Sequence, residues 1–312
     1  MTEPALVDLV GVGLNATDTL ISLPAYPERG SKVQYSQASI LPGGQTASAV
    51  IACQTWGLAT RYVGRLGDDD AARLHLSEFA RTGVEPCITT VPGARSPQSL
   101  ILVDAGGERT VLNLRDPRLL LQPADLDRSW ITRARALLVD GLETAAAAQA
   151  ARWAHEAGVP VIADLDELYP GLEDLLPSVD YLIVSRNFPG MLTGEPDLER
   201  ALPLLQRRHG CALTAATLGE QGVLAWDGAR FHRCPAFPVQ VADTTGAGDI
   251  FHAGFIYALL QGWPLARQLR FACAAAALNC TAAGARGCIA PLPAIEALLA
   301  STSEAAPMPL AR

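Results

Sequence analysis

Near-continuous apolar runs alternate with stretches of helical period along most of this chain, and few folds accommodate that alternation. Residues 6–13, 60–65, 136–140, 159–164, 181–185 and 211–217 read as strands buried on both faces, as in a parallel sheet. Between or beside them, residues 46–56, 70–82, 145–157 and 198–209 read as helices, and two long helices start at Gly246 and Pro264. Trp226-Asp227-Gly228 marks a hairpin turn within residues 224–233. The pattern predicts one large α/β domain with a mostly parallel central sheet over residues 1–300. Residues 301–312 read as a flexible tail.

Two segments break the rhythm. Residues 18–41 alternate polar and apolar positions around Pro24, Pro27 and Gly30, and residues 98–113 read as a hairpin turning at Ala105-Gly-Gly-Glu108. They predict a small β-strand lid, built from about 15–41 and 96–116, that leaves the main sheet and covers a site.

Charge and composition remove other classes. Asp plus Glu outnumber Lys plus Arg by 32 to 24, a net −8, so a broad nucleic-acid surface is excluded while a local anion pocket is not. The uncharged stretches are broken by Gly and Pro or are too short, so no membrane span is expected. The opening MTEPALVDLV carries acids where an export signal has bases, and the seven cysteines form no CxxC pair. A cytoplasmic protein with reduced thiols is expected.

Gly11-Val-Gly-Leu-Asn-Ala16 fits the dinucleotide fingerprint G-x-G-x-x-A, yet no helix starts there to hold a pyrophosphate. The stronger run is Asp243-Thr-Thr-Gly-Ala-Gly-Asp249. Its glycines open a helix, so backbone N–H groups at 246–248 are placed to face an anion. Asp249 follows in the first turn. A carboxylate there is poorly placed to bind an anion and well placed to take a proton from a hydroxyl attacking a phosphoryl group. Alone, it would read as a first-turn acid beside a tight turn. Neither a G-x-x-x-x-G-K-[ST] loop nor an HRD…DFG pair occurs.

The chain resembles the PfkB, or ribokinase-like, family of carbohydrate kinases. The likeness rests on the 243–249 run, on Gly43-Gly44, on Tyr62-Val-Gly64-Arg-Leu-Gly67-Asp68-Asp69, on Thr217-Leu-Gly219-Glu-Gln-Gly222 and on Gly107-Glu108-Arg109-Thr110. It extends from about Leu6 to Pro293 with the motifs in the family's order. It implies a three-layer α/β/α ribokinase-like fold and ATP, Mg2+ and K+ as cofactors. It further implies Asp249 as general base, with Gly246, Ala247 and Gly248 forming the anion hole. Asp18, Gly43, Gly44, Gln45 and Ser48 would contact the sugar. Asn187, Thr217, Gly219, Gly222, Cys273 and Ala276 would line the nucleotide. Asp243, Thr245, Asn279, Ala282, Gly284 and Cys288 would surround the monovalent cation, mostly through backbone. Family members often pair lids, so a homodimer is expected.

Two departures stand out. Asn187-Phe-Pro-Gly190 lacks the family's metal-side Glu, for which Asp164, Glu195 or the ATP itself would have to compensate, and Ser48 stands where Asn is common. Lys32, the chain's one lysine, falls with Asn113 and Arg115 at ends of the presumed lid strands. Together with local similarity to the ketohexokinase and sulfofructose-kinase-like branches, this favours a ketose or an acidic sugar; a solvated surface lysine is the plain alternative. A nucleoside kinase, a sugar-phosphate kinase and a non-catalytic sugar-binding regulator remain open. His252 reads as a packed histidine.

Overall fold

The computed structural model describes residues 6–105 and 109–301. β1 (Val7–Val12) leads into β2 (Ala16–Ser22) and β3 (Gln37–Gly43), then α1 (Gln45–Thr55). β4 (Thr60–Leu66), α2 (Asp70–Thr82) and β5 (Glu85–Thr90) form the next unit, followed by β6 (Gln98–Val103) and β7 (Arg109–Leu114). α3 (Arg128–Thr132) precedes β8 (Ala134–Asp140), α4 (Thr144–Glu156), β9 (Val161–Leu165), α5 (Leu172–Leu175), β10 (Tyr181–Ser185), α6 (Phe188–Thr193), α7 (Leu198–His209) and β11 (Leu213–Thr217). The hairpin β12 (Val223–Trp226) and β13 (Phe231–Cys234) is followed by α8 (Ala247–Leu260), α9 (Leu265–Asn279) and α10 (Leu292–Ser301).

Among the described residues, the main sheet has nine strands in the order β5-β4-β1-β8-β9-β10-β11-β12-β13. Pairing is parallel from β5 to β11 and antiparallel in the terminal hairpin. The central strands are apolar throughout because each faces helices on both sides. One core packs α1, α8 and α9 on one face, with Ile51, Phe255 and Phe271 fully or almost fully buried. The other packs α4, α5 and α7, with Leu137, Leu175 and Leu205 fully buried. The alanines of α4 let its axis lie close to the sheet; Ala146, Ala147, Ala150 and Ala151 are all inaccessible.

The early glycines serve this packing. A Cβ at Gly11 would stand 2.4 Å from Val50 Cγ2, and one at Gly13 2.2 Å from Asp140 Oδ2. They let α1 and β8 approach β1, and strand β2 follows where a dinucleotide site needs a helix.

The lid is a separate sheet in the order β3-β2-β6-β7. Its root brings Asp18 opposite Leu41 and Ala16 opposite Gly43. β2 and β6 run parallel, and Ser99 pairs with Asn113 across β6 and β7. Gly107 and Glu108 of the lid-hairpin motif lie outside the described residues, as does 302–312 of the tail. The lid leaves apolar surface uncovered: Ile40 is 68% and Leu112 52% exposed. Among the described residues, no helix is long and apolar enough to cross a membrane.

Candidate active site

The mouth of α8 is shaped by two glycines with different duties. Gly246 caps the helix in the left-handed region, with φ 74°, and a Cβ there would stand 2.1 Å from Ala285 O. Only glycine tolerates both conditions. Gly248 has nothing within 4 Å of its would-be Cβ and no positive φ, so it is not required by the chain's own packing. The space beside it is open, as an anion at a helix N-terminus needs. The Ala247 N–H already donates to Thr244 O at 3.2 Å, so the cradle has fewer unpaired donors than the three residues predicted.

Asp249 sits half-buried one turn into this mouth. Its carboxyl is pushed up from an ordinary 3.8 to about 7, first by burial and then by the Asp164 carboxylate; His252, Arg286 and a hydrogen bond with Ser48 pull the other way. A carboxylate with affinity for a proton near neutrality suits a general base. His252 is packed, as read: Nδ1 lies 2.8 Å from Gly248 O and Nε2 3.2 Å from Ile183 O. Burial holds its proton affinity down, so its 3.3 Å approach to Asp164 is a contact of a neutral ring. Burial pushes Asp164 well up.

The lid root adjoins this centre. Asp18 is buried, with its carboxyl raised by burial and steadied by a hydrogen bond from Ser99 and the charge of Arg286. A Cβ on Gly43 would stand 2.2 Å from Asp18 Oδ2, so the missing side chain is what admits the carboxylate. Gly44 caps α1 at φ 95°, crowded by the backbone of residues 14–16. Gln45 opens α1, and Ser48 lies one turn on, fully buried. The other predicted sugar contacts scatter. Asn113 lies within β7, its side chain 3.2 Å from Ser99 Oγ. Arg115 follows β7 and lines a cavity of about 100 Å³ with Asn15, Tyr62 and Glu143. Lys32 is not at a strand end: it sits exposed within residues 23–36, the connection between β2 and β3. That connection carries no strand pattern of its own, and the prolines and glycine that punctuate it mark loop.

The 243–245 turn and the loop after α9 are stitched together. Asp243 Oδ1 accepts from Thr245 N (2.9 Å) and Oγ1 (2.7 Å), and its Oδ2 accepts from Gly284 N (2.8 Å). Asn279 donates through Nδ2 to Ala285 O (3.2 Å) and accepts from Cys288 N (3.2 Å). A Cβ on Gly287 would lie 2.6 Å from the carbonyl oxygens of both Ala282 and Ala283, which are therefore turned into the loop. This oxygen-rich donor set fits an alkali cation. On the nucleotide side, Asn187 lies between β10 and α6 and lines an open cleft of about 570 Å³ with Arg186 and Gln221. Thr217 ends β11, Gly219 and Gly222 carry positive φ, and a Cβ on Gly222 would stand 2.0 Å from Cys234 O. Cys273 and Ala276 lie on α9, buried and half-buried. No cluster of three or more His, Cys, Asp or Glu suited to a metal occurs among the described residues.

Sequence reasoning missed Arg286, Glu78, Asn15 and Glu143. Arg286 had a signal: it is the sole charge between Arg270 and Glu296. A charge isolated in so apolar a stretch must find a partner when the stretch is buried. Glu143 gave none. Burial raises its carboxyl to about 7, against the pull of Leu121 N–H and of Arg115.

Comparison with known proteins bears on this arrangement. A model of the pfkB family carbohydrate kinase matches residues 14–292. Ribokinase of Bacillus subtilis is 26% identical over 284 residues, 88% of this chain and 94% of its own length. Fructokinase-2 of Solanum habrochaites is 30% identical over 272 residues, 78% of this chain and 82% of its own. The structure of Arabidopsis thaliana ribokinase complexed with ribose and ATP is similar at a TM-score of 0.80 and 25% identity, over 94% of this chain and 99% of that one.

Proposed function

Since this chain belongs to the PfkB family of carbohydrate kinases and has its ribokinase-like three-layer α/β/α fold, we propose that it transfers the γ-phosphate of ATP to a primary hydroxyl of a ketose or an acidic sugar. The observation that carries the reading is the position of Asp249. It stands at an uncrowded helix mouth, hydrogen-bonded to Ser48 of the helix that the Gly43-Gly44 loop opens, with its proton affinity near neutral. Asp18 and the Gly43–Gln45 loop orient the sugar hydroxyls. Asp249 accepts the proton as the hydroxyl oxygen attacks, and the first-turn amides beside Gly248 face the negative charge of the transferred group. The lid strands exclude water that would otherwise hydrolyse ATP.

Asn187, Thr217, Gly219, Gly222, Cys273 and Ala276 line the nucleotide in this reading. Asn187, beside the cleft it lines with Arg186 and Gln221, would face a Mg2+ carried by the ATP phosphates. When bound there, it supplies charge neutralisation across the phosphates. Asp243, Thr245, Asn279, Ala282, Gly284 and Cys288 would hold K+ beside the anion cradle. Residues 1–300 act as one catalytic unit, working in the cytoplasm.

The test of the substrate class is a panel of neutral and acidic sugars scored by ADP release. Arg115, with Arg65, shares a cavity with Glu143, while Lys32 projects from an exposed loop. Arg115→Met is expected to lower kcat/KM for acidic sugars by roughly 10–150-fold, the range for one charged hydrogen bond, and to spare neutral ones. Lys32→Met should follow the same pattern if its loop closes over the sugar. Equal use of both sugar classes by both variants would remove the acidic-sugar reading and leave the neutral ketose.

The uncovered lid residues Ile40, Val111 and Leu112 favour pairing of two lids. The expected state at micromolar concentration is a homodimer of about twice 32.9 kDa by light scattering. Ile40→Lys with Leu112→Lys should yield monomer; a wild-type chain that scatters as monomer would refute the pairing.

A further inference from the structure

Arg286, which no motif predicted, ties several segments of the site together. It lies on the loop after α9, and its side chain is only 4% exposed. Its Nε donates to Ser48 Oγ at 3.1 Å. Its Nη2 donates to Gly43 O at 2.7 Å and to Asn15 Oδ1 at 3.3 Å. Its Nη1 pairs with Glu78 of α2, itself 11% exposed. One guanidinium thus joins four segments: the loop after β1, the Gly43-Gly44 loop, α1 and α2. Two of its partners, Gly43 and Ser48, bracket the segment that carries the sugar-orienting loop, and Ser48 also bonds Asp249.

The surroundings show that this is a built arrangement. Glu78 and His75 sit three residues apart on one face of α2. His75 is inaccessible, its Nε2 lies 3.0 Å from Thr17 Oγ1, and burial holds it neutral. Thr17 precedes Asp18 on β2. A buried neutral ring beside a buried guanidinium leaves Glu78 as the countercharge in direct contact with Arg286. The loop that carries Arg286 is fixed at both ends, by Gly284 N to Asp243 and by Trp56 Nε1 to Ala290 O at 2.8 Å.

We propose that Arg286 is a positioning residue for the sugar: through Gly43 O and Ser48 Oγ its guanidinium fixes the Gly43–Ser48 segment against the lid root, with Glu78 holding the guanidinium in place. The proposal deepens the kinase reading above and rests on it. A planar fork is required, because the donors to Ser48 and to Gly43 come from different nitrogens at set angles. Lysine offers a charge for Glu78 but cannot span both oxygens.

The test uses the full-length enzyme with MgATP as donor and D-fructose as acceptor. Arg286→Lys keeps a cation beside Glu78. The double variant Arg286→Met with Glu78→Met removes both charges and so avoids an orphaned buried carboxylate. Both are expected to raise the sugar KM by roughly 10–150-fold, with the ATP KM within about twofold of wild type. Amide hydrogen exchange over residues 43–48 should quicken in both, while that of the α4 and α9 core stays slow. A sugar KM within threefold of wild type in the Lys variant, with exchange at 43–48 unchanged, overturns the proposal. So does a uniform rise in both KM values that tracks a fall in melting temperature, since that is what general destabilisation would give. The result is separable from the identity of the base. An Asp249→Asn enzyme with normal turnover would remove the base and leave the KM split standing.

Discussion

Asp249→Asn is expected to lower kcat by about 10²–10⁴, the span that loss of a general base commonly costs, while ATP binding stays near wild type. Asn preserves shape and the partner of Ser48 but cannot accept a proton. The pH profile provides a second arm. With Asp249 pushed up to about 7, the wild-type enzyme should gain activity as pH rises through that value, and residual activity of the variant should lack this limb. Stability should move the other way. A carboxyl whose folded value lies above its ordinary 3.8 holds a proton in the folded chain that the unfolded chain has released. From about pH 4 to 7 the wild-type protein therefore loses stability as pH rises, and at pH 8 it carries the full penalty. The Asn variant escapes that penalty and should melt at or above the wild-type temperature at pH 8. Turnover within a few-fold of wild type, at an unchanged pH optimum, would dismiss Asp249 as the base.

How much of this was legible follows from where the signals reside. α2 and α7 match the sequence reading end for end because both boundaries are chemical. Asp69 and Asp197 accept from the first-turn amides, and Gly83 and Gly210 close the helices in the left-handed conformation. The buried parallel strands were legible as continuous apolar runs. β5 was not, because it is an edge strand of sequence Glu-Pro-Cys-Ile-Thr-Thr, only half-buried through Cys87 on one face and Ile88 on the other, with no alternation to detect. α10 does not figure in the sequence reading for another reason: prolines at its start mask a helix, although a first turn tolerates them. At the candidate site, the residues that sequence singled out are those adjacent to a glycine turn. Those brought in across the fold were not singled out. The bond from Arg286 to Gly43 spans 243 positions, and no local pattern encodes it.

Gly248 and Gly246 look equivalent in sequence, and the structure separates them into opposite expected results. Gly248→Val places its branched side chain in the open space at the mouth of α8, where no atom beyond its chain neighbours and its own helix backbone lies within 4 Å. No positive φ has to be relieved. The fold should therefore persist, with melting within a few degrees of wild type, while the side chain occupies the volume of the transferred phosphate. Loss of one stabilising donor at such a site costs about 10²–10³ in kcat, and steric exclusion of the anion itself should cost at least that. Gly246→Val meets the opposite constraint. Its backbone is left-handed, which costs an L-residue roughly 1–2 kcal/mol, and the new Cβ would collide with Ala285 O at 2.1 Å. Because Ala285 also accepts from Asn279, the collision reaches the stitched loop between Asp243 and Cys288. That variant should lose stability first and activity as a consequence. Thermal melts and turnover measured on the two proteins side by side decide the matter. A Gly248→Val enzyme that folds normally and also turns over normally would show that the phosphate does not pass beside residue 248. The anion cradle would then have to be sought away from the mouth of α8.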